Sequence, residues 1–330
     1  MKDEKPPVID ADAVEMTPDG SAVVQNGSAV KENVSAVKEN STASTDAEAS
    51  KDNLPAIAED RAAKTQRWKL TIEYDGTDFA GWQRQDHLPT VQGSIEDAIY
   101  KFTGERVTVH VAGRTDAGVH ALGQVAHIDL LRKTDEKTVR DAINFHLRPL
   151  AVSVLSAEAV SSDFHARFSA TWRVYAYRIL CSRRAPPALG SNNVWHHPRD
   201  LDLGAMNKAA SYLTGTHDFT TFRATACQAK SPIRTLERLE FIEDKTSPLH
   251  GRHLVLWAEA RSFLHHQIRN FAGTLAMVGE GKWQPEDVRA ALEALDRTKG
   301  GPMAPASGLH LVRVDYTPRA IFQQGLDSML

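Results

Sequence analysis

Between Gly113 and Gln124 the sequence reads GRTDAGVHALGQ, which places Arg114, Thr115, Asp116 and His120 close together between two apolar alternating runs. The first run carries Val107, Val109 and Val111; the second carries Val125, Ala126, Ile128 and Leu130. Polar, ionisable residues between two strands are the composition of a site, and Gly113 and Gly118 permit the turn conformations such a segment needs. In an extended segment side chains alternate, so Arg114 and Asp116 are expected on one side, where a guanidinium keeps a carboxylate charged and aimed. That pattern fits an activated carboxylate nucleophile, and it fits equally an ordinary surface ion pair on a turn.

Other residues offer chemistry. In FLHHQIRNFAGTLAMV, Leu264, Ile268, Leu275 and Val278 supply an apolar helical face, and His265, Arg269 and Gly273 follow at i, i+4 and i+8 on another. Adjacent histidines on a helix diverge, and HExxH is missing, so His265 and His266 are not expected to hold a metal. Tyr175 and Tyr177 share a strand face with Arg173, suited to stacking a base or to proton transfer, or simply to packing. VGEGKW has neither the first glycine nor the hydroxyl residue of a phosphate loop, and GxGxxG after a strand and GxSxG do not occur.

Strands are expected at 68–74, 107–112, 124–131 and 151–159, with helices at 91–102, capped by Thr90, and 136–147. The same order then repeats: a strand at 171–180, a helix at 203–213, strands at 236–242 and 254–259, helices at 263–278 and 285–295, and a strand at 309–316. The expectation is an α+β fold of two similar β-α-β-β-α-β halves, residues 65–165 and 166–320. Their strands form one mixed, largely antiparallel platform flanked by helices, with a central cleft.

Residues 1–64 are low in complexity, contain SAVKEN at both Ser28 and Ser35, and read as a disordered spacer; 321–330 reads as a tail. Residues 1–60 hold 13 acidic and 5 basic residues, a net charge of −8, which leaves +5 on the remainder of a chain whose total is −3. A mildly basic folded part permits a polyanionic partner. Two cysteines without a CxxC fit a reducing cytoplasm, and no apolar run reaches membrane-spanning length.

Taken in order, EYDGTDFAGWQRQ, GRTDAGVHALGQVAH, DFHARFSATWRVYAYRI, FTTFRA, ARSFLHHQIRNFAGTLAMVG and GLHLVRVDY resemble the tRNA pseudouridine synthase A family from Trp68 to about Tyr316. The resemblance implies that Asp116 is the catalytic aspartate with Arg114 beside it. It also implies that Tyr175 is the active-site tyrosine, that Arg269 holds the aspartate, and that Leu311 lines the pocket. Val174 and Ala176, flanking Tyr175, depart from familiar members. The implied reaction turns uridines 38, 39 and 40 of the tRNA anticodon arm into pseudouridine, in the cytoplasm, by a homodimer, with no cofactor or metal. A flipped-out base would leave room for Arg114, His120 or Arg269 to enter or to grip phosphates. Two rivals are a non-catalytic RNA-binding relative and a methyltransferase, the latter without a visible cofactor loop.

Overall fold

The computed structural model describes residues 65–247 and 250–317; the acidic extension and the C-terminal tail lie outside them. Strand β1 (Gln66–Tyr74) alternates as expected, with Trp68, Leu70, Ile72 and Tyr74 all buried. Helix α1 (Val91–Thr103) begins where Thr90 accepts the Gly93 N–H and ends at Gly104 in the left-handed region. Helix α2 (Glu136–Leu147) is capped by Asp135 and buries Val139, Ile143 and Leu147, one face at a spacing of four. With β2 (His110–Val111), β3 (His120–Leu130) and β4 (Val152–Val160), these elements make the first layer of helices on strands.

The remaining strands are β5 (Trp172–Cys181), β6 (Trp195–His196), β7 (Gly215–Asp218), β8 (Ile233–Glu243), β9 (Arg252–Ala260) and β10 (Leu309–Asp315). The helices that accompany them are α3 (Leu203–Ser211), α4 (Gln267–Gly279) and α5 (Pro285–Glu293). All strands join one mixed sheet in the order β4-β1-β3-β10-β5-β9-β8-β7, with β2 beside β3 and β6 beside β5. The seam is β10, the last strand, which runs parallel to β3 through His310 and Leu311 and antiparallel to β5. Strand β5 is therefore central, and its residues are buried on both faces except at its first residue and Arg178.

Three sequence expectations change. The strand expected at 107–112 shrinks to two residues, because the Val109 N–H turns to Glu96 Oε1 at 3.1 Å instead of joining the ladder. Strand β3 begins at His120 rather than Gln124, since His120 and Ala121 pair with β10, a contact remote in sequence. Helix α4 begins at Gln267 rather than Phe263. Gln267 Oε1 accepts the Leu264 N–H at 2.7 Å, and His266 takes a φ of 63°, a left-handed conformation that closes a turn ahead of the helix. Gly273 on that helix does not face a ligand: a Cβ there would stand 1.9 Å from the Pro302 carbonyl oxygen, so the glycine admits the 300–305 segment against α4.

The seam is built on neutral imidazoles. His120 and His310 pair across β3 and β10, with ring centroids 4.8 Å apart and both side chains buried. Burial, reinforced by neighbouring His120, pushes His310 down to about 3, and burial beside Arg67 pushes His127 on β3 down to about 4. Below their unfolded value of 6.5 the unfolded chain takes up protons that the folded chain refuses, so stability falls with pH from there toward 4. Urea unfolding is expected to show a lower midpoint at pH 4.5 than at pH 7, with a smaller drop in His127→Gln; equal midpoints would remove the neutral-imidazole account.

Candidate active site

Asp116 lies in the β2–β3 loop, which is held in place by its backbone. Trp82 N–H donates to Thr115 O at 3.0 Å, Gln124 Nε2 donates to Gly113 O at 2.8 Å, and Thr115 Oγ1 shares a 2.7 Å hydrogen bond with the buried Tyr74 hydroxyl. The Asp75–Gln85 loop packs directly against it. Gly81, at a φ of 99°, brings its backbone so close that a Cβ would stand 2.8 Å from Thr115 O and 3.1 Å from the Asp116 carbonyl carbon.

The partners of Asp116 come from the turn before α4 and from α4 itself. His265 Nε2 stands 3.3 Å from Asp116 Oδ1, while His266 Nε2 and Arg269 Nη1 stand 3.4 and 3.5 Å from Oδ2. Arg269 is fixed in turn: its Nε donates to Ala304 O at 2.9 Å, and its own carbonyl accepts the Ala304 N–H at 3.0 Å. The carboxylate remains 24% exposed, so it is aimed by these groups but still reachable. Burial lowers the His266 pKa against the opposing pull of Asp116, which favours the neutral ring.

Tyr175 and Leu311 stand directly opposite each other on β5 and β10, both buried. The phenol packs edge-on against Phe263 with centroids 5.2 Å apart, and its oxygen lies 3.9 Å from where a Gly113 Cβ would be. Burial pushes Tyr175 up to about 12, with Arg173 pulling down and Asp116 pushing up. At neutral pH the phenol therefore keeps its proton.

Two expected site residues sit elsewhere. Arg114 is exposed, and among the described residues no ion pair joins it to Asp116; residues 114–116 belong to no strand, so strand alternation does not govern them, and Arg269 occupies the expected place. His120 is 2% exposed, with Nδ1 accepting the Gly76 N–H at 3.1 Å and standing 3.1 Å from Asp75, so it cannot reach a phosphate. The structure adds His265 and His266, which converge on Asp116 because the helix starts after them, and Arg173. The buried Arg173 guanidinium donates to Ala112 O at 2.7 Å, to Arg167 O at 3.2 Å and to Arg261 O. It thus ties together the segment before Asp116, the 161–170 loop and the segment before His265. A charged donor on a buried strand face was the only sequence signal for it.

A carboxylate held by an arginine and two imidazoles from a helix and the turn before it, beside a buried tyrosine and on one continuous mixed sheet, fits an enzyme of the pseudouridine synthase fold. A model of the family described as tRNA pseudouridine synthase matches residues 70–169 and 209–317. Proteins named tRNA pseudouridine synthase A from Paramagnetospirillum magneticum and Rhodospirillum centenum are 56% and 55% identical over 251 residues, covering 76% of this chain and 95% and 100% of theirs. That of Bartonella tribocorum is 54% identical over 252 residues, 76% of this chain and 99% of its own. The chain belongs to the tRNA pseudouridine synthase family and is an isomerase.

Gly81→Ala tests the backbone contact that sets the loop. The added methyl group must displace Thr115 and Asp116, so turnover is expected to fall by at least about tenfold, as a misplacement near 1 Å does, while the fold persists. Isomerisation rate and thermal midpoint measured together check this; wild-type turnover would show that the loop adjusts freely.

Proposed function

We propose that the protein isomerises uridine to pseudouridine at positions 38, 39 and 40 of the tRNA anticodon arm, with Asp116 as nucleophile. The observation that carries this reading is the partly exposed Asp116 carboxylate, aimed by Arg269 and two imidazoles above Tyr175 and Leu311. Attack at C6 of uracil or at C1′ of ribose gives a covalent intermediate. The N1–C1′ bond breaks, the base turns, the C5–C1′ bond forms, the bond to Asp116 breaks, the C5 proton leaves and N1 takes up a proton. The change is redox-neutral and calls for neither an organic cofactor nor a metal. Tyr175, a buried phenol beside Asp116, is placed to take the C5 proton as general base, directly or through a water.

The target base must leave its stack to meet Asp116. Arg114, Arg167 and Arg261 are all exposed, and the segments carrying them converge on the Arg173 guanidinium, which supports a rim of cations for phosphates around the flipped nucleotide. This gives Arg114 a role in binding rather than in aiming the nucleophile. Among the described residues no helix is long and apolar enough to cross a membrane, and Cys181 and Cys227 are unpaired. With that chemistry we place the enzyme in the cytoplasm, acting as a homodimer in which one tRNA spans both chains.

Two measurements test the reading. Tritium release from tRNA labelled at uridine C5 is expected from wild type and not from Asp116→Ala, with tRNA affinity changed by less than about tenfold, because the nucleophile acts in chemistry rather than binding. Binding without release by either protein would favour a purely RNA-binding role. Arg114→Ala is expected to weaken tRNA binding and to reduce the salt slope of log Kd by about 1, with kcat at saturating tRNA retained. Loss of kcat alone would return Arg114 to the nucleophile.

A further inference from the structure

The turn that brings two histidines onto Asp116 also creates a set of metal donors. The separations of 3.3 Å from His265 Nε2 to Oδ1 and 3.4 Å from His266 Nε2 to Oδ2 have a geometric meaning. Zn²⁺ bonds imidazole nitrogen and carboxylate oxygen at roughly 2.0–2.2 Å, so neighbouring ligand atoms of its tetrahedron stand about 3.3–3.5 Å apart. Each imidazole nitrogen therefore already stands at that spacing from one of the two carboxylate oxygens. One donor atom from each of the three residues lies within 4.8 Å of the others, and the two rings lie tilted by 41° with centroids 3.8 Å apart. His265 is 42% exposed, so its ring has room to turn toward an ion shared with His266 and the carboxylate. Among the described residues no backbone N–H donates to Nδ1 of either ring, so each imidazole can carry its proton there and present the Nε2 lone pair to a cation.

We infer that Asp116, His265 and His266 form a site for a Zn²⁺-class divalent cation, and that its occupancy blocks the nucleophile. The effect on turnover rests on the reading of Asp116 given above; the binding of the ion does not. A bound ion takes the carboxylate oxygens that attack requires and fills the space the flipped base enters, so metal and uridine exclude each other. Arg269 limits the affinity: its guanidinium stands 3.5 Å from Asp116 Oδ2 and repels an incoming cation. The site is thus a reversible inhibitory one. Mg²⁺, which accompanies tRNA, prefers oxygen ligands and keeps its waters, so it does not compete for two imidazoles.

Titrating the full-length protein with Co²⁺ in the presence of Mg²⁺, and following the visible absorption of tetrahedral Co²⁺, tests the site directly. One equivalent is expected to bind and to be displaced by Zn²⁺. Asp116→Asn and His265→Ala, each checked for folding by circular dichroism, are expected to weaken binding by at least about tenfold, the scale on which single metal-site contacts count. Arg269→Gln is expected to tighten it, and His110→Ala to leave it unchanged. In the tritium-release assay Zn²⁺ is expected to inhibit wild type, with relief by excess tRNA. No tetrahedral Co²⁺ signal, binding unaltered in both Asp116→Asn and His265→Ala, or binding lost in His110→Ala would overturn the site. A wild-type protein that binds Co²⁺ as described but releases no tritium without metal would instead overturn the isomerase reading.

Discussion

The arrangement depends on an ion pair made across the seam of the sheet, between Asp116 in the β2–β3 loop and Arg269 on α4. Arg114, two residues before Asp116, makes no ion pair with it among the described residues, so the pair with Arg269 has no local substitute. At 3.5 Å two unit charges attract by roughly 4–5 kcal/mol at an effective dielectric of 20, against about 1 kcal/mol in water. The protein keeps the interaction between those limits by leaving the carboxylate 24% and the guanidinium 11% exposed. A shorter, fully buried pair would hold the carboxylate too firmly for it to act as a nucleophile. A solvated pair would not aim it.

For that pair to form, two distant stretches of backbone must meet to within fractions of an ångström, and uncharged contacts supply that accuracy. The β3–β10 ladder is only two residues long, yet it aligns the strand leaving Asp116 with the strand that carries Leu311 beside Tyr175. Close approach at Gly81 fixes the loop from one side, and close approach at Gly273 lets the 300–305 segment press on α4, where Ala304 holds Arg269 at both its side chain and its carbonyl. Arg173 completes the frame by donating to three carbonyls from three segments. A buried guanidinium is tolerated there because its donors are used.

What was legible in the sequence follows from how local each determinant is. The alternation of β1, the Thr90 cap and the apolar face of α2 are set by neighbours within a few residues, and each appears where the pattern places it. Asp116 was legible as a polar residue in a glycine-bracketed turn. Its partner Arg114 was inferred from strand alternation, which a segment outside any strand does not obey, and the distance from Asp116 to Arg269 in sequence hides the pair that forms. The β2 strand was cut short by Glu96, a helix residue whose carboxylate takes a strand N–H, and no pattern within 107–112 carries that information. His265 and His266 were read as diverging helix positions; with Gln267 accepting the Leu264 N–H, the helix starts only after them, and both rings reach Asp116.

The two histidine clusters show why residue type alone does not settle chemistry. His110, His127 and His165 are grouped as tightly as the set around Asp116. Yet Nδ1 of His127 accepts the Ala166 N–H at 3.1 Å, and Nδ1 of His165 accepts the Arg167 N–H at 3.1 Å. Those bonds fix the neutral proton on Nε2 of both rings, so a metal there would need imidazolates or broken backbone contacts, and Arg67 adds an opposing charge. The cluster therefore packs and orders the 161–170 loop over β3. At Asp116 the Nε2 atoms face a carboxylate and the second nitrogens are free of backbone donors, so the same imidazoles can aim a nucleophile or bind a cation. The partner of the second ring nitrogen, set by the course of the backbone, decides which role a histidine can take.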